Sequence, residues 1–149
     1  MLFRGRSARN LDAKGRLVLP SGFREVLDSR GAGGRVVLTT FDGCLMGFPL
    51  PDWEEFEQQV SNLPNMTKGL RGFRRLVIGG AEELQLDKMG RLRPSQAQLE
   101  YAGISKDVLV VGELQKFELW DPARFEGEIE QDMSNVAEEL AALNERIIF

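Results

Sequence analysis

Short apolar runs broken by Gly, Asp and Pro alternate along this chain with stretches in which apolar residues recur every three or four positions. Leu17-Val18-Leu19 is an apolar run ended by Pro20 and predicts a strand. Phe23, Val26 and Leu27 then fall at i, i+3 and i+4, so residues 20–27 predict a short helix. Pro20 suits its first turn, where a missing N–H loses no intrahelical bond. Residues 31–34 predict a loop, 36–40 a strand, Asp42-Gly43 a hairpin turn, and 44–48 the returning strand, closed by Pro49-Leu50-Pro51. Asp52 is the expected N-cap of a helix over 52–63, with Trp53, Phe56, Val60 and Leu63 on one face. Pro64 and Asn65 mark a break. Leu70, Phe73, Leu76 and Val77 then predict a second helix, closed by Gly79-Gly80. Its other face carries Lys68, Arg71, Arg74 and Arg75, read first as a solvated face and second as a binding face.

The same order then returns. From Glu83 the pattern predicts a strand, a turn at 87–91, a short helix at 97–102 stopped by Gly103, a strand at 108–112, a turn at 113–116 and a strand at 117–120. Asp121-Pro122 starts a last helix, with Phe125, Ile129, Met133, Val136, Leu140, Leu143 and Ile147 as a continuous apolar stripe suited to packing. The sharpest echo is Leu11-Asp-Ala-Lys-Gly-Arg-Leu17 against Leu86-Asp-Lys-Met-Gly-Arg-Leu92, identical at five of seven positions and 75 residues apart without a gap. Such self-similarity is the mark of an internal duplication. Asp bonds its own nearby backbone and Gly accepts a positive φ, so each copy reads locally as a β-hairpin turn carrying Asp12, Lys14 and Arg16, and again Asp87, Lys88 and Arg91.

Composition changes this picture in three ways. With 149 residues, two duplicated halves are each too small to bury a sizeable core alone, so they are expected to pack on each other, on further copies, or both. The single cysteine, Cys44, rules out an internal disulfide and reads as a strand core residue, and the absence of histidine rules out Cys/His zinc sites and every His-based catalytic dyad or triad. No cofactor, no small-molecule substrate and no enzymatic activity are expected; the enzymatic alternative would rest on Asp12 and Asp87 as paired carboxylates. No apolar run has bilayer length and no signal-peptide segment follows the N-terminal arginines, so a cytoplasmic protein without membrane contact is expected. The net charge of −4 is uneven: residues 1–35 hold eight Arg/Lys against three acids, and residues 113–149 hold three against ten. A basic end on an acidic chain suggests local contact with a polyanion, and a dipolar surface without a partner is the plainer alternative.

With the repeated Asp-x-x-x-Arg motif in hand, the chain resembles the MraZ family over nearly all its length. The resemblance rests on Phe3-Arg4-Gly5, Asn10-Leu-Asp-x-Lys-Gly-Arg-Leu17, Pro20 with Arg24, Pro49-Leu-Pro-x-Trp53, Arg75-Leu-x-x-Gly79, Asp87-x-x-Gly-Arg-Leu92, Ala102-Gly103 and Lys116-Phe-Glu-Leu-Trp120. It implies an α+β fold of two tandem AbrB-like (SpoVT-AbrB) swapped-hairpin units related by pseudo-twofold symmetry, with flanking helices. The units are expected at 7–54 and 83–126, with a helical connector at 55–82 and a C-terminal helix at 127–149. It further implies a nucleoid-associated transcriptional regulator that binds repeated boxes in the promoter of the division and cell-wall cluster including its own gene, and that assembles into ring-like homo-oligomers.

The expected DNA-contacting residues are Arg16, Lys14, Arg9, Arg4, Arg6, Asp12, Arg91, Lys88 and Asp87. Arg pairs bidentately with guanine or contacts phosphate, and Lys supplies a phosphate contact that positions without specifying. Asp12 is either a pure turn residue or the partner that orients Arg16 by a charge-assisted bond. The sequence departs from the family where Arg93-Pro94-Ser95-Gln96 follows the second motif: Pro94 cannot donate to a ladder, so this strand is expected to be shortened or shifted. A competing reading is an antitoxin-like or assembly protein that holds a protein partner through the C-terminal stripe.

Overall fold

A computed structural model describes residues 1–63 and 67–143. Strand β1 (Arg6–Asn10) leads through the first motif to β2 (Leu17–Val18) and helix α1 (Ser21–Ser29). A hairpin of β3 (Arg35–Phe41) and β4 (Cys44–Pro49) is followed by α2 (Leu50–Ser61) and α3 (Lys68–Val77). The second half repeats the scheme with β5 (Glu82–Gln85), β6 (Arg91–Leu92), α4 (Gln96–Ala102), β7 (Asp107–Glu113), β8 (Lys116–Trp120) and α5 (Pro122–Asp132). A 3₁₀ turn (Met133–Asn135) and α6 (Val136–Ala142) complete the described chain. In the first hairpin Asp42 and Gly43 both have positive φ, 55° and 76°, the backbone signature that matches a two-residue turn to the twist of its strands.

Six strands form one antiparallel sheet in the order β1-β7-β8-β4-β3-β5, and β2 pairs with β6 in a separate two-stranded ribbon. Exchanging each strand for its repeat (β1 for β5, β3 for β7, β4 for β8) reverses this order and leaves it unchanged. The pseudo-twofold axis therefore passes through the sheet centre, where Met46 pairs with Glu118. The halves are interwoven: β1 pairs with β7 of the second half, and β5 with β3 of the first.

This interweaving corrects the local hairpin reading of the motif. The strands flanking each Asp-x-x-x-Arg loop do not pair with each other. The loop closes on its own Asp carboxylate, which frees β1 and β2 to diverge to different sheets, and each then finds its ladder in the other half. The exchange supplies the burial that neither half has alone. In the main core Phe3, Phe23 and Phe117 pack edge to face or tilted, with centroids 5.2–5.8 Å apart, among Leu17, Leu27, Leu92 and Val110 from both halves. Phe48 on Trp53 (5.3 Å) and Trp120 on Phe125 (5.6 Å) are the same aromatic pair in the two repeats.

Three further expectations are corrected. Asp52 is not the N-cap of α2: the helix starts at Leu50, directly after the last paired residue of β4, with Pro49 at the cap, and Asp52 in the first turn instead pairs with Arg30. The strand before Pro94 is neither shortened nor shifted: β6 has two residues like β2 and pairs with it in register, Leu17 with Leu92 and Val18 with Arg91, because Pro94 falls beyond the ladder. The final helix is not continuous. It breaks at the 3₁₀ turn, and among the described residues of its stripe only Phe125 is buried, whereas Ile129, Met133, Leu140 and Leu143 are 42–55% exposed. Helical spacing announces an apolar face without saying what covers it, and within one chain the sheet reaches only the first turn of α5. Leu63, expected on the inner face of the 52–63 helix, likewise lies exposed beyond Ser61. Ile147, the expected break at Pro64 and Asn65, and the end of the helix expected to reach 149 lie outside the described residues. Among the described residues no helix is long and apolar enough to cross a membrane.

Candidate nucleic-acid interface

Each motif loop is built by one carboxylate. Asp12 Oδ1 accepts the backbone N–H groups of Lys14 and Arg16, both at 2.9 Å, while Oδ2 accepts Arg16 Nε at 2.8 Å. The Asp12 N–H donates to the Arg16 carbonyl (2.8 Å), and the Gly15 N–H donates to the Asp12 carbonyl (2.9 Å). Gly15 has φ +79°, which L side chains rarely adopt, so the sharp reversal needs glycine. The second loop repeats every bond. Asp87 Oδ1 accepts from Met89 and Arg91 N–H at 2.9 Å and Oδ2 from Arg91 Nε at 2.6 Å, with Gly90 at φ +75°.

The backbone N–H of Arg16 holds Asp12 below its ordinary pKa of 3.8, helped by the Arg16 side chain and the Lys14 N–H. Arg91 and Met89 do the same for Asp87. Both carboxylates are thus turn residues and arginine anchors at once. Each Arg is held through Nε. Among the described residues its Nη groups make no hydrogen bond, leaving the fork that recognises guanine O6/N7 or a phosphate.

The ribbon β2–β6 joins the loops. Leu17 and Leu92 are buried beneath it. Alternation turns Val18, Arg91 and Arg93 to the other face, and continuing the register by one step sets Arg16 opposite Arg93. Arg16 and Arg91 are then two ribbon positions apart, roughly 7 Å along the strand direction.

Of the remaining expected residues, Arg9 is brought in, its Nε donating to the Val18 carbonyl at 3.0 Å, and Lys14 and Lys88 are exposed on the loops. Arg4 and Arg6 stand at the far end of β1, where Arg6 lies 5.7 Å from the Phe125 ring centroid. The basic residues of α3 belong to a helix seated on β3, its last carbonyls accepting the hydroxyls of Thr39 and Thr40.

The structure adds Arg93 and Lys106, which the sequence reading passed over. Arg93 was legible as the next outward position after Arg91 in a period of two. Lys106 carried no local signal: it reaches the first loop because its carbonyl accepts the Leu11 N–H at 2.8 Å.

Comparison with known proteins places this architecture. The family model described as "MraZ protein, putative antitoxin-like" matches twice, over residues 2–76 and 77–146. Over 141 residues, 95% of both chains, the sequence is 57% identical to the Transcriptional regulator MraZ of Nitratidesulfovibrio vulgaris (strain DSM 19637 / Miyazaki F). It is 50% identical over the same share to that of Oleidesulfovibrio alaskensis, and 40% identical to that of Escherichia coli (strain K12) over 98% of this chain and 97% of the other. A duplicated motif folded into two matching loops, found in a chain whose two halves each match the family model, makes this protein a member of the MraZ family.

Proposed function

We propose that this protein is a transcriptional regulator that binds double-stranded DNA sequence-specifically through its two Asp-x-x-x-Arg loops. The observation that carries the reading is the pair of Nε-anchored arginines, Arg16 and Arg91, on the outward face of one two-stranded ribbon. A β-ribbon is a known way into the major groove, and a pre-oriented Arg fork pairs bidentately with guanine. Arg16 and Arg91 read base edges, and Lys14, Lys88 and Arg9 contact phosphates. Asp12 and Asp87 act through the arginines they hold. Arg4 and Arg6 add positive potential at the far end of β1.

The relatives' shared name supports the regulatory role. The family resemblance supports repeated boxes in the promoter of the division and cell-wall cluster as the target, with the protein's own gene included and the protein acting on the nucleoid in the cytoplasm. In this reading units 7–54 and 83–126 face DNA, 55–82 connects them, and 127–149 serves assembly into a ring-like homo-oligomer. One loop pair makes few contacts, so a ring presenting several pairs binds repeated boxes through effective concentration and a single box poorly. Nuclease footprinting of the DNA upstream of its own gene, with one-box and multi-box fragments compared by titration, tests the reading. Protection of spaced repeats and a much tighter multi-box complex are expected; uniform coverage without repeat protection rejects it.

The second reading, an antitoxin-like or assembly protein, is favoured by the exposed stripe of Ile129, Met133, Leu140 and Leu143. A stoichiometric unlike partner in a pull-down that loses it when Ile129 and Met133 become Ser would select this reading.

A further inference from the structure

A pocket of about 500 Å³ opens beside the first loop, between Lys14, Arg93 and Lys106 on its rim and Leu11 and Leu99 within it. Three cations meet one carboxylate there, and that carboxylate, Asp12, is already engaged by Arg16 and two backbone N–H groups. Among the described residues Lys14, Arg93 and Lys106 take part in no ion pair.

The pseudo-symmetry supplies an internal control. Lys14 corresponds to Met89 and Arg93 to Val18, each 75 residues away. Lys106 corresponds to Gly34, since Leu11 N–H bonds the Lys106 carbonyl just as Leu86 N–H bonds the Gly34 carbonyl, both at 2.8 Å. None of the three counterparts is a cation; the second loop has Lys88 and Arg24 instead, in different places. Its space is also taken: the counterpart of Leu99 is Arg24, whose side chain lies so close to Gly90 that a Cβ there would stand 2.5 Å from Arg24 Cδ. The open, cationic pocket is therefore a feature of one half, not a by-product of the loop fold.

We propose that this pocket is a phosphate site, which seats a backbone phosphate of the strand whose base edge Arg16 reads. Arg93 and Lys106 are its principal contacts. Sugar carbons would meet Leu11 and Leu99 while the oxyanion meets the rim, which is how a phosphodiester divides its apolar and charged parts. The assignment of the ligand to DNA rests on the DNA-binding reading above; the chemistry of the pocket does not, and a free phosphate would use the same groups.

The test uses the full-length protein with Arg93→Gln, Lys106→Gln and the double variant, against a multi-box duplex and a random duplex of equal length, across a salt series. Each single change is expected to weaken both duplexes by the same factor and to reduce the slope of log K against log salt by about one per engaged subunit. Met89→Gln, at the control position, should leave the slope alone. Unchanged slopes in the double variant, while Arg16→Ala loses binding, overturn the site and leave the DNA reading standing. A loss confined to the multi-box duplex also overturns it, because the residues then read sequence or a partner copy.

The second arm follows line broadening of inorganic phosphate by ³¹P NMR. Should the wild type bind neither duplex, the DNA reading fails. Broadening that disappears in the double variant then upholds the pocket as a site for free phosphate, and no broadening rejects it.

Discussion

The loops at Asp12 and Asp87 share every bond that shapes them and differ in almost everything that surrounds them. The first is ringed by Lys14, Arg93 and Lys106 over an open pocket. The second is ringed by Met89, Val18 and Gly34, with Arg24 laid against its glycine. One step beyond the paired residues of the ribbon the symmetry also breaks. The Leu19 N–H donates to the Gly90 carbonyl at 3.0 Å, tying the second loop to the ribbon. The related donor for Gly15 would be residue 94, and Pro94 has no N–H. The first loop borders an open pocket and is less tied down; the second keeps Lys88 but is filled by Arg24 and pinned. A duplicated motif keeps its geometry through a handful of local bonds, while its neighbours decide what the geometry is used for.

The largest expected effect separates the arginines. Arg16→Ala should weaken binding to a multi-box fragment by ~1–3 kcal/mol per engaged subunit, and Arg91→Ala by less, since only the Arg16 loop borders the open pocket with Lys14, Arg93 and Lys106. Equal losses with oligomers intact would erase the functional difference between the loops.

Next come the glycines. Placing Ala at a left-handed position costs ~1–2 kcal/mol, so Gly15→Ala and Gly90→Ala both lower the melting temperature. Gly90→Ala should lower it further because its new methyl meets Arg24. Adding Arg24→Ala should recover that excess, and failure to recover it would mean that Arg24 does not hold the second loop.

A smaller effect is expected at Pro94. Pro94→Ala restores a donor facing Gly15. Its hydrogen bond, ~1 kcal/mol, is largely offset by the added freedom of the unfolded chain, so melting should barely move. Amide hydrogen exchange should nevertheless show the first loop protected up to the level of the second. Unchanged exchange would refute the missing tie as the source of the difference.

The smallest effect is at the axis, where both halves meet. Burial pushes the Glu118 carboxyl above its ordinary value, against a hydrogen bond from Trp120 Nε1 at 3.0 Å. A carboxyl with a raised folded-state pKa contributes stability below its unfolded pKa and loses it as pH rises through the folded value. Glu118→Gln should therefore stabilise the protein slightly at pH 7 and less at pH 4, as read by thermal melts. A gain independent of pH would assign the effect to packing instead.

Much of this fold was legible because its local chemistry is strong. Asp42-Gly43 fixed one hairpin, Asp121-Pro122 opened α5 with Asp121 accepting the Arg124 N–H, and the repeated motif announced two equivalent halves. The pairing of β1 and β2 was not legible locally, since the two residues of β2 offer no alternation and the alternation of β1 marks its faces without naming the strand beside it. Only the likeness to a swapped-hairpin family pointed to the exchange. The site divides the same way. Asp12 with Arg16, four residues apart, was within reach of the sequence, whereas Lys106 and the space filled by Arg24 arise from contacts between segments some 65–95 residues apart.

The pairing of β1 with β7 sets the tempo of biosynthesis. Arg6 stands opposite Val111, so the first strand has no partner until about three-quarters of the 149 residues have been made. At ~5–20 residues per second, about 5–20 s pass between translation of the two segments. During that interval β1 is an unpaired, arginine-bearing strand on a nascent chain, and the first half has nothing on which to finish folding. The opposite edge is not so delayed: β5 pairs with β3 of the first half and is translated before β7 and β8, so the two edges of one sheet meet their partners at different times.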